Sequence, residues 1–327
     1  MRRIAGLALA LALGSCAAPM APLPLQPVAV GAAIQVDAEA VPMDPSDPGR
    51  ERIGNFTYAG GLVLTSRQTS RLHGLSDLKV SPDGRLLAIG DQSDLLEARV
   101  VLDANGRLAG LTDATMIALK ETTGADLYVG GQREYDSEGI ARLANGDILV
   151  SFEQHDRILL FARDGALPRP VPQPDVKFTD NKGMEALIAA PDVAADAYRV
   201  GLEDRGWTFV CRISTTCVRD RDLDLAGSEL VAMDNLPGGG LAYLLRSYSV
   251  LRGNVVQLRI LDRTGRLVDS LEIARPLTVD NLEGLAAAPQ PDGRVRFYLV
   301  SDDNFGFYDG RPTGQRTLLL AFDWTRP

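Results

Sequence analysis

Five short units in this chain each begin and end on a side chain with chemistry to offer. Their first positions are Ser76, Glu138, Glu185, Glu229 and Glu283, and their last are Asp91, Glu153, Glu203, Arg246 and Asp302. All but Ser76 and Arg246 are carboxylates, and carboxylates gathered in one place raise one another's pKa unless a cation neutralises them. An all-oxygen ligand set suits Ca²⁺ better than Zn²⁺, which takes His or Cys, and the chain has only His73 and His155. The candidate metal ligands are therefore Asp91, Glu138, Glu153, Glu185, Glu203, Glu283 and Asp302, with Ca²⁺ as the cofactor. Glu138 and Glu153 are also candidates to take a proton from water. Arg246, alone in breaking the acidic column, is a candidate to hold an anionic small-molecule substrate, with Lys182 or Arg205 beside it. The plainer alternative for Arg246 is a salt bridge to a neighbouring carboxylate. Any one of these acids, taken singly, reads as an ordinary solvated loop residue; the recurrence points to a site.

The elements that must position these residues are strands. In the best-preserved unit, Asp136 to Glu153, a turn at Asn145-Gly146 folds two short strands into a hairpin. That hairpin brings Glu138 and Glu153 to one open end. Turn signals such as Pro82-Asp83-Gly84, Asp164-Gly165, Gly238-Gly239-Gly240 and Asp292-Gly293 punctuate the chain at the spacing of an all-β fold. No long stretch carries clean helical periodicity. Successive units start at 76, 138, 185, 229 and 283, about 52 residues apart on average, the length of a four-stranded propeller blade. Two residues after each start stand Leu78, Ile140, Leu187, Val231 and Leu285, an apolar column. Strands alternate faces, so the polar columns fall together at one end of a central channel. The expectation is an all-β, six-bladed β-propeller closed by N- and C-terminal strands. Its sixth blade would combine strands near 55–65 with Arg316 to Phe322; five or seven blades are the alternatives.

The units resemble the phytase-like family, known as "esterase-like activity of phytase". The matching residues are Gly60-Gly61-Leu62, Gly74-Leu75-Ser76-Asp77-Leu78 before Pro82-Asp83-Gly84, and Asp91. Asp136-Ser137-Glu138-Gly139, Asn181-Lys182-Gly183-Met184-Glu185 and Asp280-Asn281-Leu282-Glu283-Gly284 complete them. The resemblance spans roughly 54–325 and implies a propeller with phosphoester or ester hydrolase activity. Ser76 and Arg246 depart from the acidic pattern, which argues against a symmetric ring of metal ligands. The units are also similar to lactonase and gluconolactonase propellers that use one Ca²⁺, and a non-enzymatic binding propeller is the competing class. Arg71-Leu72-His73-Gly74 is only superficially similar to the Arg-His-Gly of histidine acid phosphatases. There is neither a Gly-x-Ser-x-Gly elbow nor a phosphate-cradling glycine loop.

A formal charge of −9 without a Lys/Arg cluster excludes nucleic acid as an expected partner. Arg2 and Arg3 followed by apolar Ile4 to Leu13 read as a signal segment too short to span a bilayer. Leu13-Gly14-Ser15-Cys16 resembles a lipobox, so Cys16 is the expected site of lipidation and the anchor in the membrane. The alternative is an ordinary cleaved signal. Residues 1–16 are thus a lipoprotein signal peptide, 17–50 a Pro/Ala-rich tether, and 51–327 the propeller domain. The expected product is an exported monomer at the outer membrane, facing the periplasm. Cys211 and Cys217 lie on a strand–turn–strand and are expected to form a disulfide rather than remain free thiols or bind metal.

Overall fold

The computed structural model describes residues 31–308 and 311–327. Cys16, the signal segment and residues 17–30 of the tether lie outside them. The β-branched and apolar runs between turns form five sheets arranged as blades. Blade I contains Leu75–Val80, Arg85–Gly90, Asp94–Leu102 and Leu108–Ala118. Blade II contains Ser137–Arg142, Ile148–Phe152, Arg157–Phe161 and Arg169–Pro170. Blade III contains Ala186–Ala189, Ala197–Gly201, Trp207–Arg212 and Cys217–Asp222. Blade IV contains Glu229–Asn235, Leu241–Ser249, Gly253–Leu261 and Leu267–Ala274. Blade V contains Asn281–Pro289, Val295–Asp302, Leu318–Trp324 and Phe56–Thr65. The first strand of each blade touches the first strands of its two neighbours, and the ring closes between blades V and I.

The fold is therefore the expected propeller, but with five blades and not six. The strands assigned to a sixth blade are the outer half of the fifth. Leu318–Trp324 pairs with Val295–Asp302, and Phe56–Thr65 then pairs with Leu318–Trp324. Five hydrophobic clusters fill the five seams, one between each pair of successive blades. The folded part also begins earlier than the expected boundary at 51. Ala32–Ala33 adds to the outer edge of blade I and Asp37–Ala40 to that of blade V, while Met43 is buried. These short strands cover edges that would otherwise be open to pairing. Cys211 and Cys217 face each other across the outer hairpin of blade III and are disulfide-bonded, with their Cα atoms 3.9 Å apart.

The Glu-Gly starts have a packing reason. A Cβ on Gly139 would stand 2.6 Å from the Glu185 carbonyl oxygen and 2.7 Å from Leu187 Cβ; one on Gly284 would stand 2.8 Å from Asp77 Cα. Inner strands of adjacent blades converge so closely there that a hydrogen is the largest side chain admitted. Gly139→Ala is expected to cost about 1–3 kcal/mol by overpacking, read by urea denaturation. An unchanged midpoint would mean that the seam can spread.

Lower in the axis, Asp77 and Lys79 form a buried pair, with Lys79 Nζ 2.7 Å from Asp77 Oδ2. The Asp77 carboxylate also accepts the Ile140 N–H of blade II and the Leu285 N–H of blade V. Lys79 Nζ reaches the Leu285 carbonyl at 3.3 Å and that of Met233 at 3.5 Å. This ionic plug ties blades I, II, IV and V together at the axis.

Candidate functional site at the channel mouth

Strand register, rather than residue counting, defines which mouth positions are equivalent. The last position of each unit sits opposite the same inner-strand position. Asp91, Glu153 and Glu203 donate their N–H groups to the carbonyls of Gly74, Asp136 and Gly183. Arg246 and Asp302 are the cross-strand partners of Glu229 and Asn281. The second column is therefore a true structural column with Arg246 as its one cation. The first column is not. A bulge falls at Ser76, at Glu138-Gly139 and at Glu283, but in blade IV it falls at Val231. Val231 is thus the equivalent of Ser76, Glu138, Glu185 and Glu283. Glu229 lies two residues earlier, and Met233 rather than Val231 belongs to the apolar column. A bulge inserts one extra residue and re-aims the side chains beside it.

The structure divides the candidate residues into two groups. On the side of blades II and III, oxygen atoms of Asp136, Glu138 and Glu153 lie within 4.8 Å of one another, as do those of Glu153, Glu185 and Glu203. Glu153 is shared by both sets. Its carboxylate and those of Glu138 and Glu185 accept no hydrogen bond among the described residues. Glu203 Oε1 accepts from Lys182 Nζ at 2.9 Å, whereas its buried Oε2 has no partner among the described residues. Asp136 was not among the sequence candidates; its place two residues before the Glu138 bulge, opposite Glu153, shows only once the register is known.

On the side of blades IV, V and I the acids are already satisfied. Arg246 hydrogen-bonds Glu283 and Asn281, and its Nη2 lies 3.8 Å from Glu229. Asn281 Nδ2 donates to Asp302 Oδ2 at 3.1 Å, and Ser76 Oγ donates to Asp91 Oδ1 at 2.6 Å. Asp91, Glu283 and Asp302 enter neither close oxygen set. Lys182 bridges Glu203 and Glu229. Arg205 reaches instead to Asp204 and the Trp207 ring. A cleft of about 890 Å³ opens here, lined by Arg246, Glu229, Glu283, Asp302, Arg275 and Arg316 among others.

Crowding has the expected electrostatic result. Withdrawal from water, then the Asp136 and Glu203 charges, push Glu153 up to about 7. Burial likewise takes Glu203 to about 7 against the opposing pull of Lys182. Glu138 is pushed well above the usual carboxylate range by burial and then by Glu185 and Asp91; Glu185 follows by burial and then Glu203 and Glu283. Asp91 and Asp302 are raised by burial and by each other's neighbourhood of acids. For Arg246 the Glu283, Glu185 and Glu203 charges outweigh desolvation, so its guanidinium is held firmly protonated.

Residues 70–305 match the family model "Phytase-like: Esterase-like activity of phytase". The chain belongs to the phytase-like family. The match takes in four blades and the inner half of the fifth. No curated protein matches this phytase-like chain in sequence. Among solved structures, one assigned as a gluconolactonase is similar at 12% identity and a TM-score of 0.47, covering 90% of this chain and 94% of that one. A streptogramin B lyase is similar at 12% identity and 0.42, covering 90% and 98%. The allergen Mala s 1 of Malassezia sympodialis is similar at 12% identity and 0.45, covering 84% and 91%.

The blade II–III cluster of this phytase-like propeller fits a hard cation. Ca²⁺ takes oxygen ligands at about 2.3–2.6 Å, so oxygens sharing one ion stand no more than about twice that apart. Both acid sets meet that limit. The unpartnered Glu203 Oε2 is a buried acceptor that a cation would satisfy.

Proposed function

We propose that this phytase-like protein is a Ca²⁺-dependent hydrolase of a phosphoester or related ester, working at the acidic mouth. The observation that carries the reading is the Glu153, Glu185 and Glu203 set, with a buried Glu203 oxygen that has no partner among the described residues. Those three residues would hold the ion. When bound, it would polarise the ester oxygen and lower the pKa of a water. Glu138, close to Glu153 and Asp136 and free of hydrogen bonds among the described residues, would take the proton of the attacking water. Arg246 and Lys182, locked to carboxylates on the cleft side, keep positive charge at the edge of the acidic cluster and draw an anionic substrate in. The family description supports ester chemistry, and the cleft of about 890 Å³ accommodates a small molecule.

The protein acts as an exported, lipid-anchored monomer at the cell envelope in this reading. The lipobox-like Leu13-Gly14-Ser15-Cys16 and the Cys211–Cys217 disulfide support it, since disulfides persist in oxidising compartments. No helix among the described residues is long and apolar enough to cross a membrane.

The test is a panel of phosphate monoesters and diesters, carboxylic esters and lactones, run with calcium and with chelator. Phosphoester or ester turnover that chelator abolishes and Glu138→Gln lowers by about 100-fold or more is the expected result. Turnover confined to lactones would make the protein a gluconolactonase-like hydrolase. Calcium binding without any turnover would make it a binding propeller.

A further inference from the structure

With a cation bound, the blade II–III acids would be ionised proton acceptors, while Lys182 and Arg246 are tied into ion pairs and the other cleft cations, Arg275 and Arg316, are guanidinium groups that do not give up a proton. Ester hydrolysis also needs a proton for the departing oxygen. Between blades V and I, one imidazole is built to give it. His73 Nδ1 lies 2.6 Å from Asp303 Oδ2. Asp303 is only 4% exposed, and it also accepts the Gly74 N–H at 2.9 Å, the Phe305 N–H at 3.1 Å and the Thr317 hydroxyl at 2.8 Å. Held from four sides, this carboxylate fixes the proton on Nδ1 and the plane of the ring, and leaves Nε2 as the nitrogen that can exchange a proton. The His73 side chain is 39% exposed, so Nε2 can meet a ligand. The segment that carries Asp303 is itself strained. Asn304 and Phe305 adopt φ of 49° and 52°, a left-handed conformation unusual outside glycine, and such strain clusters at functional sites.

The pair stands on the mouth rather than behind it. Asp303 directly follows Asp302. Gly74, next to His73, accepts the Asp91 N–H, and its Cβ position would lie 3.1 Å from Asp91 Oδ2. His73 is thereby next to the acid columns, yet outside the Glu153, Glu185 and Glu203 set in blades II and III.

We propose that His73, oriented by Asp303, is the proton donor to the leaving group, an inference that rests on the hydrolase reading above. Water attacks the phosphorus or acyl carbon and its proton passes to Glu138. As the bond to the leaving oxygen breaks, the Nε2 proton of the His73 imidazolium passes to that oxygen. The neutral ring keeps its remaining proton on Nδ1, donated in the hydrogen bond to Asp303. Glu138 then releases its proton to solvent, and His73 regains one, so the cycle is balanced.

The experiment compares an alkyl phosphoester, whose alkoxide must be protonated, with a p-nitrophenyl ester, whose leaving group need not be. His73→Gln is expected to lower kcat for the alkyl ester by about 100-fold while KM changes less than about threefold, with a much smaller loss for the p-nitrophenyl ester. Imidazole is expected to restore activity to His73→Ala, and the calcium-induced thermal shift to persist in both variants. An unchanged kcat for the alkyl ester in His73→Gln overturns the inference and leaves the hydrolase reading standing. Absence of all turnover in the unmodified protein overturns the hydrolase reading instead. His73 is then judged on imidazole ¹⁵N resonances titrated with phenylphosphonate. A shifted Nε2 supports contact with the substrate oxyanion, and an unmoved one overturns the inference.

Discussion

In metal-free buffer the melting temperature of this protein is expected to fall as pH rises from 5 to 8, and calcium at pH 8 is expected to recover most of the loss. Glu153 and Glu203 are both carried from the ordinary value of 4.5 to about 7, chiefly by burial. The folded protein therefore holds protons that the unfolded chain has already released. The stability they confer is complete below about pH 4.5 and disappears as pH rises through about 7. A buried carboxyl moved that far costs about 3 kcal/mol when it ionises in the fold. Neighbouring carboxylates share that cost, so it is not counted once for each residue. On a domain of this size the result is a fall on the order of 5–10 °C. Asp77 and Asp94, raised by burial to about 6, act in the same direction but lie away from the cluster, so they leave a residual slope that calcium does not remove.

The calcium arm separates this account from a general charge effect. An ion at a hundred times its Kd stabilises by about 2.7 kcal/mol, and it does so only where the carboxylates are ionised. Glu203→Gln is expected both to flatten the pH slope and to blunt the calcium response. A melting temperature that rises from pH 5 to 8, or one indifferent to calcium at pH 8, would remove the cation site. Differential scanning calorimetry with and without calcium makes the comparison directly.

Much of this site could be read from residue order because strands translate order into place with little ambiguity. Asp91, Glu153, Glu203, Arg246 and Asp302 form the column that their spacing implies, and Cys211 meets Cys217 across its hairpin. Counting failed where backbone geometry intervenes. The blade IV bulge at Val231 shifts Glu229 out of the column, and nothing in Glu229-Leu230-Val231 signals a bulge. The blade count was one too high because the fifth sheet is assembled from Asn281–Asp302 and from strands at both chain ends, so half a unit looked like a unit of its own. Residues 32–40 read as a tether because they are short and unpatterned. Ala32–Ala33 and Asp37–Ala40 within them are strands only because blades I and V offer them open edges. His73 and Asp303 lie 230 residues apart, and no local pattern links them.

Asp77→Ala is expected to be the most destabilising single change in the axis, costing about 3–5 kcal/mol by urea denaturation. Asp77 is fully buried and Lys79 nearly so, with side-chain exposures of 0% and 14%. Truncating the acid leaves a largely buried lysine charge without its closest partner and strips the acceptors from Ile140 N and Leu285 N. Three blades lose a shared anchor at once. Asp234, which accepts the Ala287 N–H, is the nearest substitute for the lost charge and keeps the cost from going higher. Asp77→Asn removes the charge and keeps one oxygen, enough for only one of the two amides, which bond different carboxylate oxygens, so its cost falls only partly below that of alanine. The joint replacement Asp77→Leu with Lys79→Met removes both charges and recovers part of the loss, since a buried pair is costlier to break than to replace. A loss below about 1 kcal/mol in Asp77→Ala would show that water or Asp234 compensates fully. The plug also predicts where damage travels. Asp77 sits one residue beyond Ser76 and touches the backbone of Ile140, two residues past Glu138. A weakened plug should therefore loosen the mouth before the outer strands, and calcium affinity should drop in Asp77→Asn even under conditions where the protein remains folded.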